Sequence, residues 1–234
     1  MNKTKKNINY GYLIKMGSAY ILFMTLFIST LLFVISGNIN WFNAQLFIIN
    51  FITVILINFI TLIRLNPEVL EERIRLQKGS KRWDVILMTI VTLVIIGILA
   101  VAAIDERYSI SKIHSNLVFT GVILFILGDL IILWSMVVNK WFSKLFRIQT
   151  ERGQMVVDKG PYAYVRHPGY LGWIMISMSI PLILGSLLSV IPTCLLLILI
   201  FTRTYMEDIT LIKELNGYYE YTLKVRYRLI TGIW

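Results

Sequence analysis

Apolar residues run along this chain in long, nearly unbroken blocks rather than at every third or fourth position. Four blocks, at about 19–36, 41–63, 83–104 and 113–138, are each long enough to cross a bilayer as a helix, which takes roughly 17–25 residues. A fifth stretch, 170–202, is also apolar but contains Pro181, Gly185, Ser186 and Pro192. It is too long for one ordinary span and just long enough for two, so it predicts a tight helical hairpin turning near Gly185-Ser186. Short spans of this kind are accommodated by packing or by local thinning of the bilayer. A single long kinked helix is the alternative, and it would put the flanking polar segments on opposite sides of the membrane. The pattern predicts an all-α polytopic transmembrane helical bundle of about six spans, ending in a short C-terminal hairpin.

Composition agrees. Hydrophobic residues make up 57% of the 234 residues, above the roughly 45–50% of soluble domains. The net charge of +10 raises the question of a nucleic-acid partner, but the basic residues lie in the segments between apolar blocks and form no long run. With the N-terminus inside and six spans, the inner segments hold 21 of the 23 Lys and Arg, and the outer loops only Arg107 and Lys112. The positive-inside rule then predicts a multi-pass protein with both termini in the cytoplasm. It also places 139–169 and 203–234 on one face. Residues 1–18 are mostly polar and no small-residue cleavage site follows the first block, so a cleavable signal peptide is not expected.

Cys194, the only cysteine, is read as a small buried apolar side chain. No Cys/His cluster has zinc spacing, so no metal is expected. Within the spans, Asp129 is the one carboxylate well inside a block, and an intramembrane acid is a functional candidate or a hydrogen-bonded packing residue. Asn50 and Asn58 read as interhelical hydrogen-bond partners. The 64–82 loop, with Glu68, Glu71, Glu72, Arg73 and Arg75, reads as a short surface helix with ion pairs.

Two polar segments could carry chemistry. The first, GQMVVDKGPYAYVRHPGYLGW at 153–173, holds a Gly160-Pro161 turn and then His167-Pro168. A residue before proline is pushed out of helical geometry, and proline suits the first helical position. The fifth span should therefore start here, its free amides forming an anion-binding end. Arg166, His167, Tyr162, Tyr164 and Tyr170 crowd that mouth. The second segment, from Arg203, places Arg203, Glu207 and Glu214 on one helical face, and Tyr218 with Tyr221. An amphipathic interfacial helix would explain Lys213, Lys224 and Arg226. It explains Arg203 and Glu207 less well, because both follow directly from a span. A hairpin brings this segment back beside His167, and charges of both signs there suit a zwitterionic ligand.

GPYAYVRHPGYLGW followed by RTYMEDITLIKELNGYYEY resembles the isoprenylcysteine carboxyl methyltransferase family, whose RHPxY-then-paired-acids pattern is shared with phospholipid methyltransferases. The resemblance covers about residues 128–234, and makes 111–234 a membrane methyltransferase core, with 1–110 as accessory or substrate-side transmembrane helices. It implies S-adenosyl-L-methionine as cofactor, bound at a cytoplasmic mouth. Carried over by position, Gln149, Gln154, Met155, Val156, Val157, Tyr162, His167, Pro168, Gly169, Tyr170 and Glu207 look like cofactor contacts. Arg203 looks like the substrate-positioning arginine, and Glu207 is placed with it in the catalytic set. Two departures stand out: Gln154 replaces the His of many relatives and keeps hydrogen bonding without a titratable proton, and Asp208 replaces the second Glu of the pair. The implied activity is methyl transfer to a lipophilic or membrane-associated acceptor, whether carboxylate, amine or thiol. The 14 glycines form no Gly-x-Gly-x-x-Gly fingerprint of a soluble dinucleotide domain. The implied partners are the bilayer and the acceptor, without nucleic acid or metal. A non-enzymatic membrane transport or scaffold protein is the competing reading, in which Asp129 and the proline-broken hairpin would line a polar pathway.

Overall fold

The computed structural model describes residues 8–74 and 79–234; the lysines expected at 3, 5, 6 and 78, and Arg75, lie outside them. The described residues form helices and no strand: α1 (Tyr10–Ser36), α2 (Phe42–Leu65), α3 (Pro67–Ile74), α4 (Arg82–Tyr108), α5 (Ser115–Val138), α6 (Pro168–Leu184), α7 (Val190–Glu214) and α8 (Tyr218–Lys224), with short 3-10 turns at Thr150–Arg152 and Gly160–Ala163. Helices α1, α2, α4, α5 and α7 are long and apolar enough to cross a membrane, and α6 is a shorter apolar helix of 17 residues. The chain is thus a polytopic helical membrane protein whose last two membrane helices form a hairpin.

The helix ends follow local chemistry. The Asn9 side chain accepts from the Tyr12 amide at 2.9 Å and caps α1. Pro168 opens α6, with His167 before it in non-helical geometry. Gly185, at φ 74°, ends α6 in the left-handed conformation that glycine adopts without a Cβ penalty. One boundary differs from expectation. Helix α7 does not end near 202 but runs unbroken to Glu214, because no Gly or Pro interrupts the sequence before Gly217. Arg203, Glu207 and Asp208 therefore ride on one rigid rod.

The hairpin packs α6 against α5 through small residues. A Cβ on Gly172 would stand 2.3 Å from the Gly128 carbonyl oxygen, and one on Gly128 2.7 Å from the Gly172 oxygen. Backbone approach of this kind is how membrane helices gain contact without a hydrophobic driving force. Thr193, Leu196 and Ile200 turn the inner face of α7 to the core. Cys194 lies one residue off that stripe and is exposed, so the expectation that it is buried fails. Asn58 donates to Asp129 at 2.8 Å, linking α2 to α5 as expected. Asn50 is buried, but its amide nitrogen has no partner among the described residues.

At the end of the bundle away from His167, a loop clamps the hairpin turn. Asp105 accepts from the Ser111 amide at 2.7 Å, from the Ser111 hydroxyl, and from Ser186 Oγ at 2.5 Å. At the opposite end α3 buries Val69, Leu70 and Glu71. Among the described residues, acids of α3 also reach another segment: Glu72 meets Arg147 at 2.8 Å and Glu68 meets Arg152 at 3.5 Å.

Candidate functional site

Asp208, fully buried on α7, organises the polar end of the bundle. Arg166 binds it with both arms, Nε to Oδ1 and Nη2 to Oδ2, each at 2.8 Å. Arg228 Nε donates to it at 2.7 Å, the Tyr218 hydroxyl at 3.0 Å, and His167 Nε2 lies 3.1 Å away. Arg166 also donates to the carbonyls of Val225 and Arg226, while the amides of Arg166 and His167 donate to the carbonyls of Tyr227 and Arg228. The chain after α8 is thereby laced along residues 166–167. A buried charge held by this many donors is stable only while the set is complete. Burial and the Asp208 carboxylate push the Tyr218 hydroxyl well above the ordinary tyrosine range, so it serves as a donor. Burial does the same to Tyr162, whose oxygen accepts from Asn139 at 3.0 Å.

Beside this knot is a cavity of about 370 Å³, within the size range of small-ligand sites. Its wall includes Gln154, Met155, Val156, Val157, Tyr162, His167, Gly169, Tyr170, Arg203 and Glu207. Nine of the eleven positions expected to contact cofactor are thus brought together, with Arg203 beside them. The other two lie behind the wall. Gln149, fully buried, donates from Nε2 to the Trp141 carbonyl at 2.7 Å, and its amide donates to Gln154 Oε1 at 2.7 Å. It shapes the loop that carries Gln154. Pro168 is buried as the first residue of α6. Tyr164, expected at the mouth, is 66% exposed and outside the wall.

Glu207 is the sole carboxylate among the cavity-lining residues. The Tyr170 hydroxyl donates to its Oε2 at 2.5 Å, and His167 Nδ1 stands 3.8 Å from Oε1. The α6 mouth offers less than its sequence suggests. Pro168 has no N–H, and the amides of Tyr170 and Leu171 already donate to the His167 carbonyl, leaving Gly169's amide in that first turn. Two further buried donors face no acceptor among the described residues: Trp141 Nε1 and Arg147 Nε, both on residues that line the cavity. Sequence reading missed both. It also missed Asp84, fully buried in the first turn of α4, which takes Arg203 Nε at 2.6 Å and Nη2 at 2.9 Å and accepts the Phe146 amide at 2.6 Å. The available signal was a carboxylate set at the very edge of an apolar block.

Fold and cavity define a multi-pass membrane protein with a ligand-sized polar site at one end of its helices. Residues 121–213 match the model of the isoprenylcysteine carboxyl methyltransferase (ICMT) family, which bears out the resemblance drawn from the RHPxY and paired-acid motifs. Among solved structures, the eukaryotic intramembrane Ras methyltransferase ICMT, determined without a monobody, aligns with a TM-score of 0.54 at 17% identity, over 96% of this chain and 84% of that one. At that identity the likeness is one of fold. No curated protein matches the chain. The family match lies within the C-terminal half of the chain, and the likeness in fold extends over nearly all of it.

Proposed function

We propose that this protein is an S-adenosyl-L-methionine-dependent methyltransferase whose cofactor occupies the cavity beside Glu207, with the site and both termini at the cytoplasmic face. The observation that carries this reading is a single lining carboxylate, Glu207, in a ligand-sized cavity at the first turn of α6. Glu207, steadied by Tyr170, suits an ammonium group; the Gly169 amide at the α6 mouth suits a carboxylate. Charge-assisted bonds of this sort are the stronger class of hydrogen bond. When bound, the cofactor supplies an electrophilic methyl group on a sulfonium.

The residues of this chain contribute position and exclusion of water rather than covalent chemistry. Gly169 leaves room beside Phe142, where a Cβ would stand 2.8 Å from the ring. Tyr170 and Arg203, whose guanidinium lies 5.3 Å from the Tyr170 ring centroid, form the wall facing the acceptor. Arg203 stays protonated at neutral pH, so it holds or orients a polar group and abstracts no proton. The acceptor is a lipophilic carboxylate, amine or thiol. Purified protein given cofactor with a labelled methyl group should transfer label into an organic-extractable product from at least one such acceptor class. Absence of label from all three classes, with helical content intact, contradicts the reading.

A further inference from the structure

The cavity has a second polar region drawn from the N-terminal helices: Arg73 of α3 and Lys144, beside Tyr20 of α1. Electrostatic neighbours order these groups. Arg203 interacts with Tyr170 and Glu207, Arg73 with Arg203 and Tyr20, and Lys144 with Arg73. Arg203 Nη2 donates to the Lys144 carbonyl at 2.9 Å, so this region borders Arg203. The other lining arginines are neutralised: Arg147 by Glu72 and Glu151, Arg166 by Asp208, and Arg203 by Asp84. Arg73 and Lys144 have no acidic partner among the described residues. Both lie over aromatic rings, Arg73 at 5.7 Å from the Phe142 centroid and Lys144 at 4.7 Å from that of Tyr20. Burial lowers the basicity of both, and Arg203 acts further on Arg73 as Arg73 does on Lys144.

Arg73 is half-buried and Lys144 exposed at the cavity rim, and two cations without an ion pair, in a cavity that also takes a cationic methyl donor, favour an anion beside them. The way in is lateral. Tyr20 and Thr92 are both exposed on the outside of the bundle and both line the cavity, so it opens between α1 and α4 where lipid chains lie. We propose that Arg73 and Lys144 form an anion subsite for the headgroup of the methyl acceptor, an amphiphile bearing a carboxylate or phosphate whose apolar part rests along Met88 and Thr92. This rests on the methyltransferase reading and gives the N-terminal helices an acceptor-side role.

The test uses full-length protein in dodecyl maltoside, saturated with S-adenosylhomocysteine, and calorimetric titration with dodecyl phosphate, dodecanoate and dodecanol. At least one anion should bind about tenfold more tightly than the alcohol, the size of one charge-assisted contact, and the tighter anion names the headgroup. Arg73→Gln and Lys144→Gln should each erase that preference while S-adenosylhomocysteine affinity is unchanged, and Arg73→Lys should keep part of it. Equal binding of the three amphiphiles, or glutamine variants that retain the preference, overturns the subsite and leaves the cofactor reading intact. Failure of S-adenosylhomocysteine itself to bind overturns the reading beneath it.

Discussion

Arg203 and Asp84, 119 positions apart, form a bidentate ion pair that joins α7 to the first turn of α4, with N–O distances of 2.6 and 2.9 Å. Arg203 Nη2 also donates to the Lys144 carbonyl at 2.9 Å, and Asp84 accepts the Phe146 amide. The arginine assigned to the acceptor is therefore also a structural tie that orients the 139–147 segment.

This dual role predicts a pattern among variants. Arg203→Ala leaves Asp84 buried and unpaired, which costs about 3–5 kcal/mol. Arg203→Lys keeps charge but loses the planar fork. Both should lower methyl transfer far more than S-adenosylhomocysteine affinity. The double variant Asp84→Ala/Arg203→Ala should be destabilised by clearly less than the sum of the single ones, as read by thermal unfolding in detergent. A lysine variant with nearly full activity would show that the charge paired with Asp84 suffices and that the planar fork positions nothing.

The contact of α5 with α6 predicts that Gly172→Ala is among the most damaging single-methyl changes in the protein. Its Cβ meets the Gly128 backbone oxygen, which cannot turn away, as well as the Ile132 side chain. Overpacking costs about 1–3 kcal/mol, and α6 carries His167 and Pro168 at its mouth, so cofactor binding should weaken together with melting temperature. Gly97→Ala, which meets nothing within 4 Å, is the matched control and should leave both unchanged.

Topology is tested by labelling single cysteines introduced in a Cys194→Ala background, since Cys194 is exposed. The 21-to-2 charge asymmetry predicts that cysteines at Ser109 and Lys112 react with an impermeant reagent in intact cells, and that one at Lys159 reacts only after permeabilisation. Labelling at Lys159 in intact cells would reverse the orientation.

Much of this organisation was legible in the residues themselves. Block length and the Pro181–Gly185–Pro192 punctuation were enough for the spans and the hairpin. His167-Pro168 marked the start of α6, because a residue before proline and a proline at the first helical position leave few conformations. The long-range pairs were not legible. Nothing local in the sequence ties Asp84 to Arg203, or Asp105 to Ser186, because each pair is set by how separate helices pack. The same holds for Gln149, which looks like a cofactor contact by position and proves to brace Gln154 from behind. Asp208 looked like half of an acidic pair, yet four side chains converge on it and Glu207 alone faces the cavity.

The central claim is that the Glu207 cavity is a cofactor site, and calorimetric titration of S-adenosylhomocysteine into the detergent-solubilised protein tests it most directly. Glu207→Gln keeps the shape of the side chain and removes the charge that would meet the ammonium. His167→Ala is less clean, because His167 also touches Asp208. The wild type should bind with one site per chain. Glu207→Gln should bind about tenfold to a hundredfold more weakly, as expected for loss of one charge-assisted contact, with helical content unchanged. A wild-type protein that takes up no S-adenosylhomocysteine, or a Glu207→Gln variant that binds it with undiminished affinity, would contradict the account.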